Sequence, residues 1–141
     1  MTKDKNYKLI YIAGPYTAET RQKVKINIAR AEEVAKQILL LTDYIPIIPH
    51  KITSFFETDV AFKNWDSNDW IEKFCLPLLS RCSAIFLVEG WEKSKGAIIE
   101  NKFATDNNIK VYNYMSDIII NKPWGVINEQ EARNQDQRAA L

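Results

Sequence analysis

The sequence predicts one α/β domain of 141 residues built around a central, mostly parallel sheet of four to five strands. Three observations carry that prediction. Short apolar runs closed by turn residues alternate with helical stretches, and strand-helix alternation implies a parallel sheet with right-handed crossovers. The runs are continuous rather than alternating, as in strands covered on both faces. Finally, 46% of the residues are apolar, enough to bury one sizeable core.

The first run, Leu9-Ile10-Tyr11-Ile12-Ala13 after Lys8, is stopped by Gly14-Pro15 and reads as strand one. From Glu19 to about Leu41 there is no Gly or Pro, and Val24, Ile28, Ala31, Ala35, Ile38 and Leu41 recur at helical spacing. One apolar stripe of that kind covers a sheet. Residues 44–50, YIPIIPH, read as strand two; Pro46 and Pro49 remove ladder donors and suit an edge or a strand end. Residues 51–68 hold Phe55, Phe56, Phe62 and Trp65 without a sustained period, so a loop or irregular helical excursion is expected, of the kind that often serves as a lid. A helix over about 69–80, strand three over 84–88, a helix from Ser94 to about Asn107 and strand four over 109–112 complete the pattern. The polar tail 121–141, rich in Gln and Asn from Asn128, is expected to be either a short helix docked on a neighbouring subunit or unstructured.

Charge and composition exclude several classes. A formal charge of +1 with acids and bases interspersed gives no footprint for a nucleic acid polymer. The polar start and the short first apolar run match neither a signal sequence nor a membrane span, which predicts a cytoplasmic protein without membrane association. Cys75 and Cys82 are expected to be reduced. Two Cys and one His make a poor zinc set, so no metal and no cofactor are expected.

Ligands of open parallel sheets bind at the carboxyl ends of the strands. Gly14-Pro15-Tyr16-Thr17, Pro49-His50 and the loop from Gly90 through Trp91 to Gly96 are expected there. Ser94 can cap the following helix, and Gly96 lets an anion approach its free N–H groups. Glu100 then lies on one helical face with Ala97, Phe103, Ala104 and Asn107. A carboxylate among apolar neighbours is poised for chemistry, although the helix macrodipole favours an early Glu whatever the function. Tyr11 is either a core aromatic or, if strand one adjoins that helix, a donor to Glu100. His50 reads as a polar residue lining the crevice or a structural hydrogen-bond partner ahead of a general base. Trp65, Trp70 and Trp91 read as core or lid anchors, with Trp91 the best placed to stack on a planar ligand.

Taken together, residues 11–16 (YIAGPY), Pro49-His50, Trp65 to Asp69, Arg81-Cys82-Ser83-Ala84 and the pattern Gly90-Trp91-x-x-Ser94-x-Gly96-Ala97-x-x-Glu100 resemble the nucleoside 2-deoxyribosyltransferase-like superfamily, in its small phage- and bacteria-associated branch. The resemblance spans roughly Leu9 to Tyr112 and implies a flavodoxin-like (Rossmann-like) three-layer sandwich. It further implies a Glu at the position of Glu100 that attacks the anomeric carbon of a nucleoside or nucleotide and displaces the base. Tyr11 would orient that nucleophile, Ser94 and Gly96 match the positions that hold a 5'-phosphate, and Trp124 or Asn128 would reach a neighbouring subunit's pocket. Assembly is expected to be a homodimer or a higher homo-oligomer.

Departures from the pattern open a second reading. Relatives carry an Asp where this chain has Cys75, a second Asp where it has Ser83, and an Arg where it has Thr17. A thiol is a poor substitute for a carboxylic acid. Asp66, Asp69 or Glu72 could take over the acid role; alternatively, the chain kept a nucleotide pocket and lost catalysis.

Overall fold

A computed structural model describes residues 6–120. Its strands are β1 (Lys8–Ala13), β2 (Tyr44–Ile47), β3 (Ala84–Leu87) and β4 (Lys110–Tyr112), in the order β2-β1-β3-β4 with every pairing parallel. The helices are α1 (Arg21–Leu41), α2 (Pro49–Glu57), α3 (Ser67–Trp70), α4 (Leu76–Leu79), α5 (Lys95–Asp106) and α6 (Met115–Ile120). Side chains of β1 alternate between two cores. Ile10 and Ile12 pack with Val34 and Ile38 of α1 and with Met115, Ile118 and Ile119 of α6. Tyr11 and Ala13 pack with Cys75, Leu79 and the α5 residues Ala97 and Ala104. The result is the flavodoxin-like α/β three-layer sandwich that the sequence predicts, with all four described strands parallel. Each fully buried Ile or Leu contributes about 1.5–3 kcal/mol to it.

The strand order fixes where a ligand can sit. From β1 the chain moves outward to β2, and from β3 it moves outward the opposite way to β4. The direction switches between β1 and β3, and in open parallel sheets ligands bind beyond the carboxyl ends of the strands at such a point. No described helix is long and apolar enough to cross a membrane.

Local chemistry sets the element boundaries and corrects several sequence expectations. Helix α1 starts at Arg21 rather than Glu19, because Thr20 caps it by accepting from the Lys23 N–H at 3.1 Å. Strand two ends at Ile47, short of the expected His50. Pro49 is instead the first residue of α2, where its missing N–H costs nothing and its fixed φ suits a helix. The expected loop over 51–68 is therefore mostly helical: α2 runs to Glu57, and a 3₁₀ turn covers Val60–Phe62. The helix expected from Asp69 begins at Ser67 and widens into a π turn over Ile71–Cys75 before α4. Pro77 explains the widening, since it cannot donate to the carbonyl four residues back and its ring would clash there. Asn107 is exposed at the C-cap of α5, off the buried face it was expected to share with Glu100. Helix α6 has no counterpart in the sequence reading. The tail 121–141, with Trp124 and Asn128, lies outside the described residues.

Candidate functional site

Strand β1 and helix α5 meet across the second core, and there the Tyr11 hydroxyl donates to Oε2 of Glu100. Both groups are buried, Tyr11 fully and Glu100 to within 4%. Burial pushes the Glu100 carboxyl up to about 7, while the Tyr11 hydrogen bond draws it partway back down. Near neutrality the group is thus divided between acid and carboxylate, and its charged form is poorly solvated. That is the state of a nucleophile or base ready for chemistry. Burial first, and then the Glu100 charge, hold the Tyr11 phenol well above its ordinary range, so it remains a donor. The Cys75 sulfur sits against the same hydroxyl. Burial, followed by the Glu100 charge, lifts its thiol to about 11, so Cys75 stays neutral.

The loops beyond β1 and β3 interlock above this pair. A Cβ on Gly14 would fall 2.8 Å from Cβ of Val88, so only glycine lets the two loop starts pass. Gly90 has φ 92°, a left-handed conformation that L side chains rarely adopt, and its missing Cβ faces Pro15 Cγ at 3.3 Å. Ser94 caps α5 by accepting from the Ala97 N–H at 3.2 Å. Gly96 is unconstrained, since a Cβ there would meet only Ile71 Cδ1 at an ordinary 3.8 Å. Ala97 is buried beside Glu100, and Trp91 packs onto the second core rather than standing free in the loop. Tyr16 lies flat on His50, with ring centroids 4.1 Å apart and planes within 4°. Burial pushes the His50 imidazole down to about 4, leaving a neutral ring at physiological pH.

The candidate acids separate clearly. Asp66 and Asp69 accept from each other's backbone N–H at 2.9 Å, a reciprocal cap on α3, with Asp66 exposed and Asp69 half-buried. Glu72 is exposed on the π turn. Ser83 precedes β3, at the amino end of the sheet, and its N–H donates to Leu9 O at 2.9 Å. Ser83 therefore stands at the opposite end of the sheet from the loops that follow β1 and β3. The sequence reading missed Glu57, the last residue of α2. Its Oε2 accepts from Tyr16 Oη at 3.1 Å and its Oε1 from Thr53 Oγ1 at 3.2 Å. Its charge also reaches the Cys75 thiol, after that of Glu100. Among the described residues no cluster of three His, Cys, Asp or Glu forms a metal site.

A family model described as a domain of unknown function (DUF4406) matches residues 8–113. The chain belongs to the DUF4406 family. No curated protein and no solved structure matches it. The matched segment of this DUF4406 chain runs from the start of β1 to just past β4, so it contains Tyr11, Glu57, Cys75 and Glu100.

Proposed function

We propose that this DUF4406 protein cleaves the N-glycosidic bond of a nucleoside or its 5'-monophosphate, or transfers the sugar, with Glu100 as nucleophile. One observation carries the reading: a buried carboxylate, held by a buried phenol on β1, one of the two strands between which the chain's direction switches. The resemblance of residues 11–16, 90–97 and Glu100 to the nucleoside 2-deoxyribosyltransferase-like superfamily supports the choice of substrate. The N-terminus of α5, with Ser94 and Gly96, suits a 5'-phosphate because its backbone N–H groups lack helical partners.

In this reading a Glu100 oxygen bonds to the anomeric carbon as the C–N bond breaks, and that electron pair leaves with the base. Water or a second base then displaces Glu100, with net retention. Tyr11 fixes the carboxylate for in-line attack and stays protonated throughout. A second reading, nucleotide binding without turnover, is favoured by Cys75, whose neutral thiol is far too weak an acid to replace an Asp.

The test is release of free base from a panel of ribo- and deoxyribonucleosides and their monophosphates. Wild type should turn over at least one of them, and Glu100→Ala should be slower by about 10³-fold or more. Equal rates for the two proteins would refute the nucleophile. Tight calorimetric binding without product would select the second reading.

A further inference from the structure

A second carboxylate bonds to the loop that follows β1, and the glycosidic step has no use for it so far. Glu57 is exposed, yet its two oxygens are held apart by Tyr16 and Thr53. An ionised carboxylate offers about four lone-pair sites, so one on each oxygen remains for a ligand. No cation pairs with Glu57 among the described residues. Beside it, His50 covers one face of the Tyr16 ring. A planar ligand laid on the opposite face would have its edge toward the carboxylate that holds the Tyr16 hydroxyl. Tyr16 follows the carboxyl end of β1 by three residues, so its bond to Glu57 places this carboxylate beyond the strand whose Tyr11 holds the nucleophile.

We propose that Glu57 reads the departing base, selecting one with an amidine edge: an exocyclic amino group beside a ring nitrogen that can take up a proton, as in cytosine and adenine. The proposal rests on the N-glycosidic reading of the site. Two parallel acceptors fit two parallel N–H donors, and an amidine edge offers both only when its ring nitrogen is protonated. A facing carboxylate favours that protonated form. The proton comes from solvent, and the base then leaves as a neutral molecule when the C–N electron pair returns to it. After water has displaced Glu100 from the sugar, the water's spare proton returns to solvent. No separate acid is needed at Cys75. The keto analogues, uracil and hypoxanthine, present carbonyl oxygens beside the ring nitrogen, which repel the carboxylate.

The test uses matched pairs that differ only in amino against keto, cytosine with uracil and adenine with hypoxanthine, as nucleosides and as 5'-monophosphates. Wild type, Glu57→Gln and Tyr16→Phe are compared by kcat/KM. Calorimetry of the same pairs is run in a Glu100→Gln background, with and without Glu57→Gln. Wild type should prefer the amino member by about 10- to 100-fold, the discrimination of a good bidentate pair. Glu57→Gln should collapse that ratio toward one, and Tyr16→Phe, which removes only the orienting hydroxyl, should fall between. A wild-type ratio near one, or a ratio unchanged by Glu57→Gln, would overturn the proposal. If no substrate is cleaved at all, the glycosidic reading fails alone, and the calorimetric preference and its loss in Glu57→Gln decide the role of Glu57.

Discussion

Tyr11 and Glu100 stand 89 positions apart in the chain and share a hydrogen bond in the core between β1 and α5. The contact joins two elements that the sheet topology brings side by side. Two opposed effects meet in it: burial, which resists charge on Glu100, and a buried donor, which favours it. Burial wins, because the carboxyl titrates near 7 even with the phenol in place. Three consequences can be measured.

The first concerns activity. If ionised Glu100 is the nucleophile, kcat/KM rises with pH along a limb centred near 7. Tyr11→Phe removes the donor and leaves burial unopposed, so the limb should move up by about one pH unit or more, given the strength of hydrogen bonds to charged groups. A pH-rate profile of both proteins checks it. A limb that stays in place would show that Tyr11 does not tune the carboxylate.

The second concerns stability. Below the ordinary carboxylate value of 4.5, Glu100 is protonated in folded and unfolded chains alike, and its burial costs little. Between 4.5 and about 7 the unfolded chain ionises while the folded one does not, so stability falls as pH rises and levels off above 7. At about 1.4 kcal/mol per pH unit the loss is on the order of 3 kcal/mol. Glu100→Gln should escape that loss. Urea denaturation at pH 4 and pH 8 should show wild type and variant close at the lower pH, with the variant more stable at the higher one.

The third concerns the loops above the pair. Gly14→Ala would place a Cβ 2.8 Å from Val88 Cβ, an atom close to the backbone that cannot swing away. A cost of about 1–3 kcal/mol is expected, as for other overpacked positions. Val88→Ala keeps that Cβ, so in the Gly14→Ala background it should not recover the cost, and thermal denaturation of Gly14→Ala, Val88→Ala and the double variant checks both expectations.

Much of this arrangement was legible in the sequence because it follows from burial. Strands β1 and β3 announce themselves as apolar runs, and Ser94 marks the start of α5 as a cap. Counting along a helix from Ser94 puts Glu100 on the face of Ala97 and Ala104, where the structure has it. What stayed hidden depended on context. Pro49 is compatible with a strand end and with the first residue of a helix, and only the fold decides between them. Reading it as a strand end hid α2, and with α2 went Glu57. The available signal was Pro49 followed by Thr53 and Glu57 at four-residue spacing. The six residues of α6 are too few to show a period, though Met115, Ile118 and Ile119 are buried by it. Motif comparison alone could not tell that Ser83 lies at the amino end of the sheet while Cys75 touches the Tyr11–Glu100 pair.

The most direct measurement is of the covalent intermediate itself. Wild type turning over its best nucleotide substrate is quenched in acid and digested, and the peptide containing Glu100 is weighed by mass spectrometry. The account predicts a gain equal to one bound sugar, with or without its phosphate, located on Glu100 and absent from Glu100→Gln. Base release with no adduct on that peptide, or with the sugar found on another residue, would contradict it.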